Sequence, residues 1–90
     1  MAGKILEVRF APRAERAFLS MAAKDRRRLA PHIDALAHEP RPRGARKLAG
    51  EDGLYRIRVG DFRVPYVVRD RELIVLVLEI GPRKDVYRGL

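Results

Sequence analysis

Residues 5–10, ILEVRF, alternate in polarity, with Leu6, Val8 and Phe10 on one side and Ile5, Glu7 and Arg9 on the other. That period predicts a half-buried strand. Ala11-Pro12 ends it, and Pro12 suits the first turn of a helix, where its missing N–H is no loss. Ala14, Ala17, Phe18 and Met21 then recur at helical spacing. A second helical stripe, Leu29, Ile33, Leu36 and Ala37, runs through residues 25–38, with Asp25 as its expected N-cap. Pro31 lies inside that stripe and predicts a bend or a later start. No Gly or Pro links the two helices, so a tight αα-hairpin turning near Ala23-Lys24 is expected.

EPRPRG, residues 39–44, stops the second helix. Beyond about residue 47 the period changes to two. Residues 54–59 form one strand, Gly60-Asp61 a two-residue hairpin turn, and residues 62–69 the next strand. Asp70-Arg71 turns again. Residues 73–80 are almost continuously apolar, as expected of a strand covered on both faces inside the sheet. Pro65 falls where a ladder bond should form, which predicts a bulge nearby. The order is βααβββ, an α+β fold: one domain spanning residues 1–90, with a helical hairpin on a mainly antiparallel four-stranded sheet.

The 47% hydrophobic content is that of a globular domain, and cysteine is absent, which excludes disulfides and thiolate metal sites. The longest apolar run is too short to span a membrane and no signal-peptide pattern opens the chain, so a cytoplasmic protein without membrane association is expected. A net charge of +8 favours a polyanionic partner. Residues 41–90 hold 12 basic and 7 acidic side chains, and their arginines fall on strands.

Strand alternation sorts those arginines. Tyr55, Ile57 and Val59 share the face that meets the helices, while Arg56 and Arg58 point away. Arg63, Pro65 and Val67 share a face of the next strand, so antiparallel pairing can set Arg63 beside Arg56 and Arg58. Like charges across a sheet repel. Either the face is solvated and partly paired with Glu51, Asp52, Asp61 and Glu79, or it receives phosphates of RNA or DNA. Arg83 and Arg88, past the last strand, could close its end. His32 and His38 fall on the second helix, away from this face, as surface or groove histidines.

The set Lys47-Leu48, Tyr55-Arg56-Ile57-Arg58, Gly60-Asp61-Phe62-Arg63, Tyr66 and Gly81-Pro82-Arg83-Lys84-Asp85-Val86-Tyr87 resembles, over nearly the whole chain, the RelE/ParE superfamily of toxin–antitoxin toxins. The resemblance implies a ribosome-dependent messenger-RNA endoribonuclease of the RelE kind, which inhibits translation. Its catalytic positions match Arg56, Arg58, Arg63, Arg83 and Tyr87. The cations would stabilise the scissile phosphate as the 2′-hydroxyl attacks. Tyr87 would orient RNA or move a proton; its structural alternative is an aromatic covering the sheet edge. Lys47, Lys84 and Arg88 are further RNA-binding candidates. No metal or cofactor is expected.

Three positions depart from the pattern. The RelE nuclease carries lysines where this chain has Arg56 and Arg58, and an arginine cannot act as a base at neutral pH. Many relatives carry histidine where this chain has Pro82. Two alternatives therefore stand beside the nuclease: a ParE-like inhibitor of DNA gyrase, and a non-catalytic relative that binds RNA or its antitoxin. The resemblance also implies a cognate antitoxin protein in a hetero-oligomer, with the ribosome and messenger RNA as further partners. An amphipathic antitoxin segment that folds on binding would use a groove on the helical hairpin, with Phe18, Met21 and Leu29 as candidates. The Arg26-Arg27-Arg28 run is expected to be a solvated helix end that touches ribosomal RNA or antitoxin carboxylates.

Overall fold

The computed structural model describes residues 4–82. Strand β1 (Glu7–Phe10) leads into helices α1 (Pro12–Ser20) and α2 (Ala23–Asp34), and a 3₁₀ turn (Ala35–Ala37) follows. Strands β2 (Arg46–Lys47), β3 (Leu54–Val59), β4 (Phe62–Arg69), β5 (Ile74–Val77) and β6 (Gly81–Pro82) complete the order. The sheet runs β1-β5-β4-β3-β2, with β6 also paired to β4. Among the described residues only β1 and β5 pair in parallel. The α+β class and the βααβββ framework are as expected, but the sheet has more strands than the four anticipated. A two-residue β2 adds an edge, and the last strand is split in two.

That split has a local cause. Pro65 accepts a hydrogen bond from the Leu78 N–H at 2.9 Å but has no N–H to return. Val77 pairs with Tyr66, whereas Gly81 pairs with Arg63, so one extra residue is accommodated between β5 and β6. The expected bulge therefore lies on the strand opposite Pro65. Glu79 sits within it, 9% exposed, and secures it twice. One carboxylate oxygen accepts the Ile80 N–H at 3.0 Å and the other pairs with Arg13 at 2.5 Å.

Leu29, Ile33 and Leu36 are buried against Ile57, Val59, Val64, Tyr66, Val68, Val75 and Val77 on the helix side of the sheet. Each such side chain contributes roughly 1.5–3 kcal/mol by leaving water. The second helix starts two residues before Asp25, which occupies its first turn while Ala22 takes the cap position. Pro31 is accommodated inside the helix, which then tightens to the 3₁₀ turn. The interhelical turn falls at Met21-Ala22. There Arg26 donates through Nη1 to the carbonyls of Leu19 and Met21, placing a cation at the C-terminal end of α1. Four residues, 70–73, join β4 to β5 rather than two, with Leu73 at φ 58°.

Candidate functional site: an arginine ladder on the β3–β4 hairpin

Gly60 and Asp61 form the expected two-residue turn, with Val59 paired to Phe62. Gly60 has φ 61°, the left-handed conformation such turns require. The next pair is Arg58 with Arg63. The turn makes Val59 and Phe62 the hydrogen-bonded closing pair, so alternation makes Arg58 and Arg63 a non-hydrogen-bonded one, with their side chains at closest approach. Arg58 is exposed and Arg63 half-buried. Neither side chain forms an ion pair or hydrogen bond among the described residues.

Two of the four acids that might have neutralised this face are engaged elsewhere. Glu51 accepts from Arg69 at 3.0 Å, and Glu79 pairs with Arg13. The reading of a solvated face paired with local carboxylates is therefore unsupported for Glu51 and Glu79. Asp52 and Asp61 form no ion pair among the described residues.

Arg56 is placed differently. It shares the face of Arg58 but is only 5% exposed, level with buried Pro65 and flanked along the face by buried Leu54 and Val67. The face away from the helices is thus divided. Its part near the turn is open and cationic, and its middle is buried. Lys47 does not join the arginines. It pairs with Tyr55, and cross-strand partners share a face, so it belongs to the helix side. Its neighbour Arg46 pairs with Arg56 and is exposed on the arginine side. Sequence reasoning missed Arg46 because a two-residue strand gives no period from which to assign a face.

Gly81 and Pro82 pair with Arg63 and Phe62, so the chain runs on toward residue 83 from beside this ladder. Arg83, Lys84, Tyr87 and Arg88 lie outside the described residues. In the basic run on α2, Arg27 and Arg28 are exposed, as expected of a solvated helix end, and Arg26 is half-buried. Arg26 caps α1, and the Arg28 guanidinium lies against Gly60 at the hairpin tip.

A second network fixes the loop beneath the sheet edge. Arg41 donates to both carboxylate oxygens of Asp70, at 3.3 and 2.7 Å, and to the Tyr55 hydroxyl at 3.1 Å. The hydrogen bond from Arg41 holds the Asp70 carboxyl below its usual range. Tyr55 stacks on Tyr66 with ring centroids 6.1 Å apart. The Tyr66 hydroxyl donates to the Pro40 carbonyl at 2.7 Å. Burial, with Tyr55 adding to it, pushes the Tyr66 phenol up to about 12.

Two concave surfaces flank the sheet. One lies between α2 and the 42–45 loop, lined by His32, Leu36, Glu39, Arg43, Ile57 and Arg58. It opens where β2 ends and, among the described residues, no strand pairs with the outer edge of β3. The other lies beside edge strand β1, lined by Arg9, Phe10, Glu15, Phe18 and Leu19. Leu19 is 67% exposed. Of the three groove candidates, Phe18 and Met21 are half-buried, but Leu29 is fully buried in the core and offers nothing to a partner.

A helical hairpin packed on a mixed sheet is also the fold of known RelE toxins. Residues 8–87 match the family described as ParE toxin of the type II toxin–antitoxin system parDE. The chain belongs to this family, within the RelE/ParE superfamily of type II toxin–antitoxin toxins. It is similar to toxin RelE1 of Methanocaldococcus jannaschii, with 36% identity over 60 residues that span 63% of this chain and 67% of the relative. The fold superposes on the archaeal RelE–RelB complex from Pyrococcus horikoshii with a TM-score of 0.78 and 31% identity, covering 91% of this chain and 99% of that one. It also matches the isolated E. coli RelE toxin, with a TM-score of 0.77, 25% identity and 93% of each chain.

Proposed function

We propose that this toxin is an endoribonuclease that cuts messenger RNA on the ribosome. The observation that carries the reading is the directly opposed pair of exposed Arg58 and half-buried Arg63, neither of which has an ion-pair partner among the described residues. Two adjacent cations held on facing strands are costly unless an anion sits between them. A phosphodiester supplies one, and its charge grows as a 2′-hydroxyl attacks phosphorus. Stabilising that extra charge with preorganised cations is a large catalytic effect. The P–O5′ bond breaks, the 2′-hydroxyl proton is passed on to the leaving 5′ oxygen, and the products are a 2′,3′-cyclic phosphate and a 5′-hydroxyl. Arg56 supports the central charge from within the sheet. Arg83 stabilises the leaving oxygen, and Tyr87 orients the RNA or moves the proton. Arginines hold charge without taking up a proton, so the ribosome supplies much of the substrate geometry.

The toxin works with a cognate antitoxin, as the RelE of Pyrococcus horikoshii is found with RelB. The hollow at Phe10, Phe18 and Leu19 supports such docking, because an exposed leucine beside two aromatics offers apolar area to an amphipathic segment. A site of action on ribosomes puts the protein in the cytoplasm.

The test is cleavage of a message programmed into ribosomes, with 5′ ends mapped for wild type, Arg58→Ala, Arg63→Ala and Tyr87→Phe. Cuts in the A-site codon that disappear in the arginine variants support the reading. Intact message with folded wild-type protein overturns it, and a gyrase supercoiling assay then examines the alternative suggested by the ParE family description.

A further inference from the structure

The hollow between α2 and the 42–45 loop adjoins the phosphate site without being part of it. Arg58 belongs to both, as one half of the opposed arginine pair and as part of the cavity wall. The cavity measures about 640 Å³, within the range of sites that enclose small organic groups. Leu36, 1% exposed, and Ile57, 7% exposed, give it an apolar floor. His32, Glu39 and Arg43 give it a polar rim, and all three are exposed. None of their side chains forms a hydrogen bond or ion pair among the described residues.

The edge of β3 adds backbone groups to that rim. Leu48 donates to the Leu54 carbonyl at 2.9 Å, and Arg46 is level with Arg56. Alternation then turns the peptide groups of residues 54, 56 and 58 outward. Those of 54 and 56 meet the chain around β2, but β2 does not reach Arg58, whose N–H and C=O face the open side. Gly60, the next outward position, already lies in the turn. One donor and one acceptor are too few for an added peptide strand, since strands run three residues or more. They suit a planar group that carries donors and acceptors along one edge, as a nucleobase does.

We infer that this cavity receives the base of a nucleotide next to the phosphate held by Arg58 and Arg63. The inference rests on the nuclease reading and adds to it a means of choosing where to cut. The RNA backbone stays on the arginine face, and one unstacked base passes round the open edge of β3 onto the apolar floor. The flat imidazole of His32 and guanidinium of Arg43 are surfaces on which a base stacks. A carboxylate only accepts hydrogen bonds, so Glu39 takes one from an exocyclic amino group. Adenine, cytosine and guanine carry such a group and uracil does not. The site therefore selects an amino-bearing base over uracil.

The experiment programs ribosomes with messages whose A-site codon is randomised and sequences the cut 5′ ends. Wild type is compared with Glu39→Gln, Ala35→Leu and Arg27→Gln, and thermal melts confirm that each is folded. At one position beside the cut, wild type should favour amino-bearing bases over uracil by about tenfold, the worth of one hydrogen bond to a charged group. The amide of Glu39→Gln donates as well as accepts, so uracil should come within about twofold of the other bases. Ala35 is an exposed residue of the cavity wall, and Ala35→Leu should fill the space and flatten the preference. Arg27 is exposed outside the cavity, and Arg27→Gln should keep the wild-type base distribution. Wild type that cuts with no base preference overturns the pocket alone. So does a preference that survives in both Glu39→Gln and Ala35→Leu, or one that Arg27→Gln loses equally. Wild type that leaves every message intact overturns the pocket and the nuclease reading together.

Discussion

Arg58 and Arg63 should cost the fold stability, and that cost can be measured. Their Cβ atoms stand about 5 Å apart as a directly opposed pair, and splayed side chains bring the charges to a separation of roughly 8 Å. In a largely aqueous environment two unit charges at that distance repel by about 0.5 kcal/mol. Arg58→Gln or Arg63→Gln should therefore stabilise the protein by about 0.4 kcal/mol in 10 mM salt, where the Debye length is about 30 Å. For a domain of this size that raises Tm by roughly 2–3 °C. In 1 M salt, where the screening length is about 3 Å, the gain should vanish. The double variant should gain little more than either single one, because the first substitution already removes the repulsion. Urea unfolding of the four proteins at both salt concentrations reads the cycle. The ribosome assay should meanwhile show loss of cleavage in the variants that became more stable. A destabilised Arg58→Gln, or a stability difference that survives 1 M salt, would refute the reasoning, since the arginine would then be making a structural contact.

Three further outcomes follow from the network under the sheet edge and from one turn. Tyr66→Phe removes a buried donor and leaves the Pro40 carbonyl without it, so urea unfolding should show a loss of about 1–2 kcal/mol. Because burial raises the Tyr66 phenol to about 12, the folded state holds its proton more tightly than the unfolded chain. Stability should be full below pH 10 and fall as pH rises toward 12, by about 2–3 kcal/mol, on a limb that Tyr66→Phe lacks. The Asp70 carboxyl is lowered by Arg41, so its contribution is present above about pH 4 and lost as pH falls through the lowered value. Both side chains are well exposed, and Asp70→Asn should cost under about 1 kcal/mol in a pH 7 melt. Gly53→Ala places a Cβ 2.6 Å from the Val68 carbonyl oxygen at φ 81°. A loss of about 2 kcal/mol or more in chemical unfolding is expected, because backbone cannot move aside as a side chain can.

What the sequence revealed depended on how much chain each feature repeats over. Six residues of alternation in β3 and eight in β4 were enough to set Arg58 beside Arg63 and to turn Ile57, Val64 and Tyr66 toward the helices. The apolar run of the last strand correctly implied an interior position, between β1 and β4. Two residues of β2 carry no period from which to assign a face, so only the pairing with Tyr55 shows that Lys47, an RNA-binding candidate, lies on the side opposite the arginines. Leu29 belongs to an apolar stripe, and a stripe alone does not distinguish a groove from a core; only the packed sheet makes it interior. Leu19, off the stripe of α1, was the better signal for an exposed apolar surface. Arg28 and Gly60 are distant in sequence, so their contact at the hairpin tip is visible only in the tertiary packing.

The same packing bears on why arginine occupies position 56. A cation that is 5% exposed faces a large desolvation cost. Lysine can escape that cost by releasing its proton, since burial lowers its pKa, whereas arginine stays charged at any accessible pH. A lysine here would act as a titrating group and an arginine acts as a fixed charge. Arg56→Lys should therefore lose about 1–3 kcal/mol at pH 7, from both the shorter side chain and the burial of a compact ammonium. Its folded-state pKa would lie below that of the unfolded chain. The unfolded state then binds more protons, and stability should recover as pH rises from 7 toward 10. Wild type has no lysine at this position and should lack that rising limb. Urea unfolding of both proteins at several pH values decides the matter. An Arg56→Lys protein that tracks wild type across the range would mean that position 56 tolerates either cation equally. The absence of lysine would then carry no chemical consequence. A rising limb accompanied by faster cleavage at alkaline pH would mean the opposite: a deprotonated lysine inserted beside the phosphate supplies a base that the arginine cannot.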